Sequence, residues 1–147
     1  MLNSLDATDR NIIDILRKNS RTAFLSIAKT LNLSESTIRK RVANLESRGI
    51  IQKFSLIVDP SKLGYENVAY IGVDAEPEKY LEVANDLKQD PQIKCLSTSV
   101  GDHMFMLEVW AKDNEELQQI CDRIKSNNKI TRICPAVIKE TLKGFYN

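Results

Sequence analysis

Apolar side chains recur every three to four positions through the first third of the chain, and each run is bounded by residues that start or stop helices. Ile12, Ile13 and Leu16 follow Leu5, Asp6 and Asp9 and are trailed by Arg17 and Lys18, an acidic start and basic end that predict a first helix. Residues 23–31 predict a second, with Phe24, Ile27, Ala28 and Leu31 on one face and Asn32, which tolerates left-handed backbone, at its exit. Ser34 is an N-cap for a third helix over residues 35–48, where Ile38, Val42 and Leu45 fall at i, i+4 and i+7 before Gly49.

Two helices joined by so short a turn, with small Ala28 where they must approach, have the layout of a helix-turn-helix, whose second helix enters the DNA major groove. The polar positions of that helix are Ser36, Thr37, Arg39, Lys40, Arg41 and Asn44, with Ser34 at its start. Hydroxyls contact bases or phosphates, Arg reads guanine bidentately, and Lys meets phosphate as a point charge. A charged helix face is usually only solvated. Here it follows a capped tight turn and lies away from an apolar stripe, so these seven residues are the candidate double-stranded DNA contacts.

The period changes near Asn67. Residues 68–75 predict a strand, and residues 78–88 a helix with Tyr80, Val83, Ala84 and Leu87 inward, stopped by Asp90-Pro91. Strands over 93–100 and 103–112 follow, joined around Gly101-Asp102 as a hairpin. Phe105, Leu107 and Val109 alternate with Met104, Met106 and Trp110, so both faces of the second strand need cover. A helix over 114–126 presents Leu117, Ile120, Cys121 and Ile124, which makes Cys121 a small core residue. A last strand over 129–142 carries Pro135, a mark of an edge or bulge. The order β-α-β-β-α-β is the ferredoxin-like motif, whose helices cover one sheet face and leave the other in need of a partner. The expected class is therefore α+β, with an N-terminal helix-turn-helix domain and a C-terminal ferredoxin-like domain.

Composition narrows the reading further. The chain has 147 residues, enough for two small domains that gain from oligomerisation, and is 42% hydrophobic and 28% charged, as a folded protein should be. Its net charge of +1 hides an asymmetry: residues 1–60 hold ten Lys/Arg against six Asp/Glu, and residues 61–147 eleven against fourteen. Only the first half suits a polyanion. Cys95, Cys121 and Cys134 are odd in number and widely spaced, which suits reduced thiols. His103 has no metal-ligand neighbour in sequence, so neither a metal nor another cofactor is expected. No stretch reaches the roughly 20 apolar residues of a membrane span. Residues 1–6 lack the basic region and apolar core of a secretory signal, so a cytoplasmic location is expected.

Two segments together resemble the leucine-responsive regulator and AsnC group, the feast/famine regulators. One is Leu5-Asp6-x-x-Asp9-x-x-Ile12-Ile13-x-Ile15-Leu16; the other is Ser34-x-Ser36-Thr37-Ile38-x-x-Arg41-Val42-x-x-Leu45-Glu46-x-x-Gly49-Ile50-Ile51. The resemblance covers nearly the whole chain. It implies a winged helix-turn-helix domain over residues 1–52, a wing or hinge strand and linker over 53–65, with the strand running from Gln52 to Val58, and an effector-binding and assembly domain over 66–147. It implies a homodimer formed through the sheets, further assembly to tetramers or octamers, and a small amino acid bound near the hairpin turn. The candidate effector residues are Thr98, Ser99, Val100, Gly101, Asp102 and His103. Gly101 lets backbone approach a ligand, loop N–H groups can hold an α-carboxylate, and Asp102 an α-ammonium. Gly-Asp is also an ordinary hairpin turn. Met104 stands where the family often has a second Asp.

Two alternative readings compete with this one. Some haem-pathway decarboxylases share this domain pair, but the second half supplies only His103, Arg123 and Arg132 to handle a polycarboxylate, and no nucleophile motif or phosphate loop is visible, so no enzyme activity is expected. A non-specific DNA-organising protein would need more positive charge, because such binding comes almost wholly from phosphate neutralisation.

Overall fold

The computed structural model describes residues 5–142, which form two compact units. The first holds the N-terminal helices, and the second spans Val58–Thr141.

In the first unit α1 (Ala7–Lys18), α2 (Phe24–Leu31) and α3 (Glu35–Ser47) close around Ile12, Leu16, Ile27, Ala28, Ile38, Val42 and Leu45, all buried. The ends are set by side chains. Asp6 Oδ1 accepts from the Asp9 N–H at 2.7 Å, Ser34 Oγ from the Thr37 N–H at 3.1 Å, and Asn32 leaves α2 with φ 55°. The two N-caps, Asp6 and Ser34, satisfy donors that a helix N-terminus leaves unpaired.

The second unit is a four-stranded antiparallel sheet, β1 (Asn67–Ala75), β2 (Ile93–Thr98), β3 (Phe105–Ala111) and β4 (Ile130–Val137), in the order β2-β3-β1-β4. Helices α4 (Tyr80–Gln89) and α5 (Asn114–Lys125) occupy the two crossovers. One face is a continuous core in which Ile71, Val73, Phe105, Leu107 and Val109 meet Val83, Leu87, Leu117, Ile120, Cys121 and Ile124. On the opposite face Tyr70, Met106 and Ala136 stay exposed, with Glu108 and Trp110 half-buried beside them. The alternation of β3 therefore has the meaning expected of it: Phe105, Leu107 and Val109 point to the helices, Met106 and Trp110 away. Cys121 is a core residue, and Pro135 lies on edge strand β4. No helix among the described residues is long and apolar enough to cross a membrane.

Three expectations need correction. Residues 52–58 form no strand, because a strand is defined by its ladder and nothing among the described residues pairs with this segment; Phe54, Leu56, Ile57 and Val58 are left exposed. The last strand ends at Val137, not at 142. The link between β2 and β3 is a six-residue loop over 99–104, not a two-residue hairpin. That loop closes through Ser99 N–H to Met104 O at 3.0 Å, while the Met104 N–H turns to Asp74 Oδ1 at 2.9 Å and leaves the strand ladder.

Candidate nucleic-acid interface and effector site

Helix α3 advances about 100° per residue, so the residues between its buried positions Ile38, Val42 and Leu45 sort themselves by angle. Ser36 and Lys40 lie nearly opposite the stripe, with Asn44 close by, and all three are exposed. Arg39 and Arg41 flank the stripe on opposite sides. Their surroundings differ accordingly.

Arg41 turns back toward α1. Its Nη1 donates to Asp6 Oδ2 at 2.6 Å and to Asp9 Oδ1 at 2.8 Å, and its side chain is only 32% exposed. Hydrogen bonds from the Asp9 N–H and from Arg41 hold the Asp6 carboxyl below its ordinary value, and Asp6 followed by Asp9 raises Arg41. Arg41, expected as a DNA contact, is thus a tie between α1 and α3. One terminal nitrogen of its guanidinium is shared between the carboxylates of Asp6 and Asp9.

Arg39 remains at the surface, 66% exposed, with Nη2 2.8 Å from Glu35 Oε1 and its guanidinium 5.4 Å from the centre of the Phe24 ring. Both partners are rim contacts that DNA can replace or reinforce. Ser34 Oγ is the helix cap and lies 2.9 Å from Ser36 Oγ and 2.7 Å from Thr37 Oγ1, so the three hydroxyls form one cluster at the start of α3. Asn44 Oδ1 accepts a long bond from Arg48 at 3.4 Å. Six of the seven candidates thereby share the start and outer surface of one helix.

The loop candidates are brought together less evenly. Thr98, Ser99, Val100, Gly101 and Asp102 are exposed, Val100 completely. Ser99 Oγ donates to His103 O at 2.5 Å, and Gly101 has φ 154°, a conformation that side chains disfavour. His103 behaves differently: its imidazole lies over Gly72 of β1, and only 12% of it is exposed. A strand-interior glycine often marks such a close approach. Nδ1 of the ring is 2.9 Å from Asp74 Oδ2 and Nε2 is 3.2 Å from Asp102 Oδ2.

Two site residues had no local signal in the sequence, because they sit about 30 positions from the loop. Asp74 of β1 receives the His103 ring and the Met104 N–H; burial alone would raise its carboxyl, but these bonds and nearby Arg132 leave it below the ordinary value. Arg132 of β4 lies opposite Asp74 in the ladder and sends Nη1 and Nη2 to the two Asp102 oxygens at 3.3 and 3.4 Å. Asp102, followed by Cys134, raises the guanidinium above its usual value. Glycine at 72 was the one available clue. Among the described residues no group of three or more His, Cys, Asp or Glu side chains is placed to hold a metal ion.

Comparison with known proteins finds a family match for each of the two parts of the chain. A family model for the AsnC-type helix-turn-helix domain matches residues 5–46, and one for the Lrp/AsnC ligand binding domain matches residues 68–146. The chain is 46% identical over 140 residues to the HTH-type transcriptional regulator LrpA of Pyrococcus abyssi, covering 95% of this chain and 99% of that one. It is 45% identical to the LrpA of Pyrococcus horikoshii over the same shares. The fold matches that of AsnC from E. coli with TM-score 0.86 at 24% identity, covering 96% of each chain. It also matches a transcriptional regulator from Neisseria meningitidis, solved as an L-Met complex, with TM-score 0.87 at 19% identity over 96% of this chain and 94% of that one. The chain belongs to the Lrp/AsnC family of helix-turn-helix transcriptional regulators.

Proposed function

We propose that this regulator reads specific double-stranded DNA sequences through the outer surface of α3, and that a small α-amino acid held at loop 99–104 modulates its DNA binding or assembly. The observation that carries the reading is the exposure of Ser36, Lys40 and Asn44 at four-residue spacing, opposite a fully buried apolar stripe. Such a row can lie along a major groove. Thr37 and Arg39 extend it on either side, and Ser34 acts by capping the helix, with its hydroxyl beside those of Ser36 and Thr37.

Support for the effector comes from the family's ligand-binding domain, from the L-Met complex of the Neisseria regulator, and from the charged cluster that Asp102 and His103 of the loop form with Arg132 of β4. The open sheet face, with Tyr70 and Met106 exposed, and the unpaired segment 52–58 both favour a homodimer that assembles further to a tetramer or octamer. Cytoplasmic residence accords with this role. A haem-pathway decarboxylase or a non-specific DNA-organising protein finds no comparable support, since the relatives are named as transcriptional regulators.

Selection of bound duplexes from random DNA, with and without a mixture of the twenty amino acids, tests the reading. The expected product is a pair of related half-sites spaced by about one or a few helical turns of 10 to 10.5 base pairs, with recovery changed by the amino acids. An unenriched pool would reject sequence-specific binding. Enrichment indifferent to amino acids would reject the effector.

A further inference from the structure

The geometry points to Asp102 and Arg132 as a zwitterion clamp: an ion pair that opens when an α-amino acid enters, Asp102 taking the ammonium and the Arg132 fork taking the α-carboxylate. This rests on the effector reading above and deepens it, because it assigns the carboxylate to a β4 side chain in place of loop N–H groups.

The argument begins with how Asp102 is held. A carboxylate at the end of a six-residue exposed loop would ordinarily sample many positions. Here the following residue, His103, is pinned: its ring fills the space over Gly72, and Asp74 accepts from Nδ1 at 2.9 Å. The opposite ring nitrogen then meets Asp102 Oδ2 at 3.2 Å. The His103 ring and the Met104 N–H thus both tie the loop to Asp74 of the sheet, and Asp102 is presented beside β4.

Arg132 is the group that meets it there. Its two terminal nitrogens face the two Asp102 oxygens at 3.3 and 3.4 Å, longer than the 2.7 to 2.9 Å of strong charge-assisted bonds. Asp74 is nearer the ring and the Met104 N–H than it is to Arg132, which approaches it only to 3.9 Å. Arg132 is 51% exposed and Asp102 74%, and pairs so exposed add little to stability. Opening this one therefore costs little. A zwitterion inserted between the two restores one cation to Asp102 and one anion to Arg132, and the planar fork of Arg fits a carboxylate bidentately. A ligand with only an ammonium or only a carboxylate satisfies one partner and strands the other.

Calorimetric titration of the full-length protein tests the clamp. The twenty L-amino acids are screened on wild type, and the tightest binder is then compared with its decarboxylated amine and its desamino acid. Wild type should prefer the amino acid to either analogue by about tenfold or more, the usual worth of a charged hydrogen bond. In Arg132→Gln the preference over the amine should collapse toward unity, while the preference over the desamino acid survives. Asp102→Asn should show the reverse pattern. Circular dichroism of each variant verifies folding, and Arg132→Lys, which keeps charge without the fork, should recover part of the preference. An Arg132→Gln variant that still favours the amino acid over the amine tenfold would overturn the clamp alone and return the carboxylate to the loop N–H groups. No heat with any amino acid on wild type would overturn the effector reading and the clamp together.

Discussion

Substituting Gly72 by Ala adds one methyl group to the centre of β1 and should cost far more than a methyl normally does. The new Cβ would meet the Cγ and Nε2 atoms of His103 at 2.5 Å, well inside van der Waals contact, so the ring must leave. Its departure removes the 2.9 Å bond to Asp74, a bond to a charged group worth about 1.5–3 kcal/mol. Residual strain from forcing atoms into a packed site adds about 1–3 kcal/mol. Against this, Ala in a strand is favoured over Gly by about 0.5–1 kcal/mol through backbone entropy. The net loss is about 1.5–5.5 kcal/mol, a fall in Tm on the order of 10 °C or more for a unit of this size. Denaturant unfolding at one fixed protein concentration measures it, with the same change repeated in a His103→Ala background. There the space is already vacant, and Gly72→Ala should be near neutral or stabilising. Equal cost in both backgrounds would refute the claim that Gly72 exists to seat His103, since independent sites add and coupled ones do not.

Loss of the Ser34 cap in Ser34→Ala should destabilise the helix-turn-helix unit by about 1 kcal/mol in urea unfolding, whether or not DNA is bound. Lys40→Ala should leave stability unchanged and lower the slope of log affinity against log salt by about one, as expected for one lost phosphate contact; an unchanged slope would remove Lys40 from the interface. The Asp6 carboxyl is lowered in the folded state, so its contribution is present above the unfolded value of about 3.9 and disappears as pH falls through the folded value. Unfolding curves between pH 7 and pH 2 should show that acid loss in wild type and a shallower one in Asp6→Asn. Arg41→Gln should destabilise the unit, whereas Arg39→Gln should weaken DNA binding at unchanged stability; the opposite assignment in thermal melts and shift assays would exchange the roles given to the two arginines.

Local chemistry was enough for the helices and strands, because their signals are periodic and lie within a few residues of one another. Ile38, Val42 and Leu45 had to be buried together, which put Ser36, Lys40 and Asn44 outside, and Ser34 and Asn32 marked the ends of the tight turn. Phe105, Leu107 and Val109 announced the covered face of the sheet in the same way. Tertiary structure decided everything that depends on residues distant in the chain. Arg41 looks like its neighbours Arg39 and Lys40 until α1 brings Asp6 and Asp9 beside it, some 30 positions away in sequence. Asp74 and Arg132 carry no motif, and only the pairing of β1 with β3 and β4 gathers them around His103 and Asp102. The same pairing explains the six-residue loop, since Asp74 captures the Met104 N–H that a two-residue hairpin would have kept in its ladder. Segment 52–58 marks the opposite limit: the family resemblance implied a strand there, but a strand requires a neighbour, and none lies within the described residues of one chain.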